Sequence, residues 1–110
     1  MNTQTCTTQD IVTSVVGVTY EGRQAVVLKL LMGEEVFLSR DPLNPYDRNA
    51  IKVVNQHGQQ IGFIARELAS GLAASFDRYG KPVSARVTYL SGGSHGYSAG
   101  VMIRFQVPSA

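Results

Sequence analysis

A single cysteine, Cys6, excludes an internal disulfide and any multi-cysteine metal site, and it fits a reducing, cytoplasmic compartment. No apolar run approaches the length of a membrane span, and the Thr/Gln-rich start from Met1 to Asp10 lacks the cationic head and apolar core of a signal peptide. Charge is scarce as well, at 16% of residues with a net value of +2. That balance admits an anionic partner but falls below the strong basic bias of proteins that coat nucleic acid by charge alone, so any phosphate contact has to be local. Catalytic groupings are missing too. His57 falls in a turn and His95 in a glycine-rich loop, and no nucleophile stands at motif spacing from a base. Asp41, Asp47 and Asp77 are scattered and would bind a metal only if the fold gathered them. Ser91-Gly92-Gly93-Ser94-His95-Gly96 lacks the lysine and following helix of a phosphate cradle. The chain is therefore expected to be no enzyme and to need no cofactor or metal.

What is present suffices for one core. With 110 residues, 44% of them hydrophobic, the chain can build a single domain and not two. Met1 to Asp10 has almost no large apolar side chain and reads as a loose arm, 11–107 as the domain, and 108–110 as a tail; a monomer is expected. Ile11 to Val18 is rich in β-branched residues, the pattern of a strand buried on both faces. Tyr20-Glu21-Gly22-Arg23 breaks it, leaving Tyr20 as either a core-edge aromatic or a stacking face at a strand end. Ala25 to Leu31 fits a helical stripe and also a strand; the reading leans to a short helix closed by Gly33. Glu35 to Arg40, Ala50 to Val54 and Gln59 to Ala65 read as strands, the last two a hairpin around Asn55-Gln56-His57-Gly58. Gly62 in mid-strand points to a bulge or a close backbone approach. Arg66 to Tyr79 places Leu68, Ala69, Leu72, Ala73 and Phe76 at helical spacing and stops at Gly80-Lys81-Pro82. Val83 to Leu90 alternates as a half-exposed strand, and Val101 to Val107 closes the chain. About six strands with one main helix predict a mainly β fold: an antiparallel barrel of the oligonucleotide-binding or SH3-like kind, with the helix packed across it.

The densest chemistry lies in Ser39 to Ile51, where Pro42, Pro45, Asp41, Asp47, Asn44, Asn49 and Tyr46 crowd between alternating segments. Each proline fixes its own φ and disfavours helix in the residue before it, so the loop is rigid. It sets an aromatic, Tyr46, beside a carboxylate, Asp47, with Arg40 and Arg48 as flanking cations and Asn44 and Asn49 as amides. Such a loop is either a structural corner, with Asp47 capping a turn, or a binding loop on a rigid scaffold.

Asn44-Pro45-Tyr46-Asp47-Arg48-Asn49-Ala50-Ile51, followed by Gly58-Gln59-Gln60-Ile61-Gly62, together with Val15 to Tyr20 and Gly33 to Pro42, resembles the HIRAN domain. The resemblance runs from about Val15 to Phe105 and implies a modified oligonucleotide-binding barrel. It further implies a module that grips the 3′ end of single-stranded DNA at replication forks or in repair, alone or beside a helicase or translocase. By that resemblance Asp47 accepts a hydrogen bond from the terminal 3′-hydroxyl, Tyr20 and Tyr46 hold the end bases, Tyr97 adds a further stacking face, and Asn44 and Arg66 face base and phosphate. Two positions depart from the family member attached to a fork-remodelling translocase. Thr19 stands where that domain has arginine, and Phe63 where it has histidine, so the electrostatic share of binding is reduced here. The chemistry is coherent without the resemblance. Aromatic stacking contributes roughly 1–3 kcal/mol per base and tolerates any sequence. A carboxylate next to DNA makes sense only where it reads a hydroxyl donor, since it repels a 3′-phosphate and an internal phosphodiester offers no such donor. Two other readings remain at this point: a barrel that has kept the fold and binds a peptide, and, more remotely, a small nuclease.

Overall fold

The computed structural model describes residues 9–108. Six antiparallel strands form a closed barrel, β1 (Asp10–Val16), β2 (Glu35–Arg40), β3 (Ile51–Val54), β4 (Gln60–Ile64), β5 (Val83–Ser91) and β6 (Gly100–Gln106), in the order β1-β4-β3-β2-β5-β6. Two helices accompany them, α1 (Arg23–Val27) between β1 and β2 and α2 (Arg66–Tyr79) between β4 and β5. The mainly β barrel with one long helix is the architecture that the strand count and helical spacing predict.

Closure sets which side chains are inside. Along β5, Val83, Ala85 and Val87 are buried while Ser84 and Arg86 are exposed, and β3 buries Ile51 and Val53 while Lys52 and Val54 lie outside. Val36, Leu38, Ile51, Val53 and Ile103 are wholly excluded from solvent. α2 inserts Ala69, Leu72 and Phe76 into this cluster and buries Ala73 as well, and the Phe76 ring meets Phe105 edge-on at 6.3 Å between centroids. Each large side chain so buried contributes about 1.5–3 kcal/mol. Gly80, with φ 77°, ends α2 by donating its N–H to the Phe76 carbonyl, which a left-handed cap requires.

Three expectations need correction. The first strand is not buried on both faces: Val15 is buried while Val12 and Val16 are exposed, because a strand in a closed barrel has one inner face. It also ends at Val16 rather than Val18, since Gly17 turns to φ 71°. The short helix starts and stops earlier than Ala25 to Leu31: Gly22, at φ 75°, opens it and it lasts only to Val27. The N-terminal arm loses its end, because Asp10 pairs with Gln106 in β1 and the Gln9 carbonyl accepts the Val107 N–H. The rest of the arm, residues 1–8, and the tail residues 109–110 lie outside the described residues.

Gly62 resolves as a close approach. The seam between β1 and β4 has only two register pairs, Val15 with Ile64 and Val16 with Phe63. A Cβ on Gly62 would come within 2.7 Å of Val15 Cγ1 and closer still to the Val16 carbonyl oxygen. Glycine is what lets β1 and β4 meet and close the barrel. The β3–β4 register also shifts between Val53 and Val54, directly across from it.

Candidate nucleic-acid interface

The proline loop is held from both ends. At its base, the Ala50 carbonyl accepts from the Asp41 N–H at 2.9 Å and from Arg40 Nη1 at 2.8 Å, while Arg40 Nε donates to Asp77 Oδ1 of α2 at 2.9 Å. Arg40 is therefore a clamp between loop and helix and not a free cation. Within the loop, Asn44 Oδ1 accepts the backbone N–H groups of Tyr46 and Asp47 at 2.9 and 3.1 Å, and its Nδ2 donates to Asp41 Oδ2. This Asx turn is why an asparagine precedes Pro45. It uses the Asn44 amide oxygen and one of its two N–H donors within the loop, while the residue also lines the cavity described below.

The turn throws Tyr46 outward, where it is 84% exposed, and draws Asp47 in. Asp47 Oδ1 accepts the Asn49 N–H at 2.9 Å, and the Asp47 carbonyl accepts from Ala50. Asn49 thus serves through its backbone. Asp47 Oδ2 receives no hydrogen bond from the described residues; its nearest cation is Arg66 Nε at 3.9 Å, while Arg66 Nη2 donates to the Tyr46 carbonyl at 3.1 Å. Arg66 is the first residue of α2, so the helix start places it across the loop. The result is a carboxylate with a side chain only 19% exposed and one oxygen used, in a residue that lines a cavity of about 240 Å³ with Val16, Asn44, Tyr46, Phe63 and Arg66 among others. That cavity is mostly apolar at its walls, and its lining includes a carboxylate acceptor, Asp47, and an exposed ring, Tyr46. It suits a flat apolar group carrying a hydroxyl donor.

Phe63 connects this cavity to Tyr20. An added Cβ on Gly17 would lie 3.7 Å from Phe63 and 4.0 Å from Tyr20, so the two rings flank that glycine. Tyr97 is not part of the cavity. It is 75% exposed in the loop between β5 and β6, where Gly93 donates to its carbonyl. Of the residues singled out from sequence, Asn44, Tyr46, Asp47, Phe63 and Arg66 line one cavity, Tyr20 and Asn49 adjoin it, and Tyr97 stands apart.

A family model of the HIRAN domain matches residues 8–108. The chain belongs to the HIRAN domain family. The crystal structure of the HIRAN domain of human HLTF superposes with a TM-score of 0.65 at 33% identity, covering 90% of this chain and 76% of that one. An NMR structure of the HLTF HIRAN domain in its DNA-bound conformation superposes with a TM-score of 0.58 at 33% identity, covering 90% and 75%. In sequence, human helicase-like transcription factor is 57% identical over 44 residues, which is 40% of this chain and 4% of that protein. The full-length relative is thus a far longer chain than this HIRAN domain.

Two residues of this HIRAN domain that sequence reasoning passed over organise the Tyr20 side. Arg23, only 7% exposed, donates Nη1 to the Gly17 carbonyl at 2.8 Å and lays its guanidinium over the Phe63 ring at 5.1 Å from the centroid. Gln24 donates to the carbonyls of Val18 and Ala99, both at 2.9 Å, and accepts the Ala99 N–H at 2.8 Å, tying the Tyr20 turn to the end of the loop that carries Tyr97. Nothing in their local sequence marks them, since besides the nearby Gly17 and Val18 carbonyls their partners, Phe63 and Ala99, lie on β4 and beside β6. A larger groove of about 570 Å³ runs along β5 and β6 past Arg86 and Arg104, and none of the sequence-derived site residues lines it.

Proposed function

We propose that this HIRAN domain is a non-catalytic DNA-binding module that takes the 3′-hydroxyl end of a single strand. The observation that carries the reading is Asp47: one carboxylate oxygen accepts a backbone N–H within the loop, the other receives no hydrogen bond from the described residues, and the residue lines a mostly apolar cavity together with an exposed tyrosine. A 3′-hydroxyl supplies the donor which that oxygen lacks, and a 3′-phosphate would bring like charge to it. The terminal base stacks on Tyr46 and the next reaches Phe63 and Tyr20, a sequence-tolerant platform. Arg66 offers charge to the backbone from the cavity edge. Support also comes from the DNA-bound conformation of the HLTF domain, a relative of matching fold. The natural setting we propose is a replication fork or a repair intermediate, with the domain acting as a cytoplasmic monomer beside a helicase or translocase that supplies the motor.

Fluorescence anisotropy with a short labelled strand tests this. The wild type is expected to prefer a 3′-hydroxyl strand over the same strand with a 3′-phosphate, and Asp47→Ala to lose that preference. If neither strand binds at low salt, the DNA reading is wrong and a protein partner for the barrel takes its place. An Asp47→Ala variant that keeps the preference would remove the carboxylate from the mechanism while leaving DNA binding intact.

A further inference from the structure

The cavity ends at Phe63, and the barrel register decides what lies beyond it. Phe63 pairs with Val16 on β1 and with Lys52 on β3, and Lys52 pairs with Ser39 on β2. Directly opposed residues share a face, and the buried neighbours Val15, Ile51, Val53, Ile64 and Leu38 put this row on the outside. Val16, Phe63, Lys52 and Ser39 therefore cross four adjacent strands at about 4.8 Å per step. One face of the Phe63 ring is already covered by Arg23, whose guanidinium is engaged with the Gly17 carbonyl. Arg66 is engaged with the Tyr46 carbonyl. Lys52, half-buried, takes part in no ion pair among the described residues. Like Arg66, which keeps donors beyond its bond to the Tyr46 carbonyl, it is a cation near the platform with donors unspent.

Resting on the reading of the site as a DNA-end pocket, we propose that Lys52 holds a backbone phosphate of the bound strand, so that the strand leaves the Asp47 cavity across Phe63 toward β3 and β2. A base lying on Phe63 brings its phosphate to the margin of the ring. On the β1 side that margin is the apolar Val16; on the β3 side it is an ammonium on a flexible stem, and beyond it the Ser39 hydroxyl. A lysine suits this position because it meets a phosphate as a compact point charge without needing a fixed bidentate geometry. Lys52 thereby supplies from the neighbouring strand the local charge that Thr19 does not.

The test is a salt titration of anisotropy binding with an oligothymidine of about ten nucleotides ending in a 3′-hydroxyl. Each phosphate neutralised on a single strand contributes about 0.7 to the slope of log affinity against log salt. Lys52→Gln and Lys52→Met, two replacements that keep the stem, are expected to lower the slope by that amount, so that raising salt from about 50 to about 200 mM weakens them about 2.6-fold less than wild type. Lys52→Arg should restore the slope. Arg86→Gln, on β5 across the barrel, should leave it unchanged, and the ratio of 3′-hydroxyl to 3′-phosphate binding should persist in every Lys52 variant because Asp47 sets it. A wild-type slope in both neutral variants overturns the path alone, as does an equal fall in Arg86→Gln. Failure of the wild type to bind, or undiminished binding by Tyr46→Ala, overturns the site and the path together.

Discussion

Replacing Gly62 with alanine tests how the barrel closes and how the site depends on that closure. The new methyl would sit 2.7 Å from Val15 Cγ1 and against the Val16 carbonyl oxygen, both on β1, and neither is the far end of a flexible side chain that can swing aside. Accommodating it means moving the β1 backbone outward. Overpacking of this kind costs typically about 1–3 kcal/mol. The β1–β4 seam consists of only two register pairs, so the same displacement endangers its hydrogen bonds, at about 1 kcal/mol for each one lost. The sum is about 2–4 kcal/mol, which for a domain of this size lowers Tm by roughly 10–20 °C. Thermal melts followed by circular dichroism measure it, with Gly71→Ala as the internal comparison. Gly71 lies within α2 with nothing within 4 Å of the added methyl, so that variant should gain about 0.5–1 kcal/mol from helix propensity. Because Val16 and Phe63 face each other across the strained seam, Gly62→Ala should also weaken strand binding at temperatures where it remains folded. A Gly62→Ala protein that melts within about 2 °C of wild type would refute the argument that this glycine permits closure.

Arg23→Met should cost about 1–2 kcal/mol through loss of the charged hydrogen bond to the Gly17 carbonyl, read by urea denaturation, and should weaken single-strand binding without changing 3′-hydroxyl selectivity. Unchanged binding together with lowered stability would assign Arg23 to the fold alone. Stability should also fall at acid pH through Asp10. The hydrogen bond from Arg104 holds its carboxyl below the ordinary 3.8, so between the two values the unfolded chain binds more protons; this contribution is complete above pH 4 or so and disappears as pH drops through the lowered value. Asp10→Asn should flatten that limb of a pH-dependent melt slightly, because both groups are exposed, and a steeper limb would reverse the sign argued here.

How much of this could be read from the chain depends on whether a feature is local. α2 was legible from Arg66 to Tyr79 because its apolar stripe repeats at helical spacing and Gly80 ends it, all within one turn of the residues concerned. The Asn44 to Ala50 loop was legible for the same reason, since its prolines and Asx turn act over a few residues. That Tyr46 would be exposed and Asp47 inward followed only from the loop's docking against α2 through Arg40 and Arg66.

The amino-acid order by itself determined most of the strand and helix types and the rigid aromatic and acidic loop, because each depends on backbone preferences and spacing along the chain, and its one cysteine excluded an internal disulfide. Barrel closure decided the rest. It gave β1 one inner face in place of two, brought Phe63 of β4 beside the Tyr46 cavity, and set Arg23 over its ring and Lys52 beside it. Those neighbours come from elements far apart in sequence. Their meeting is fixed by strand order and register, which depend on how all six strands bury their inner faces together.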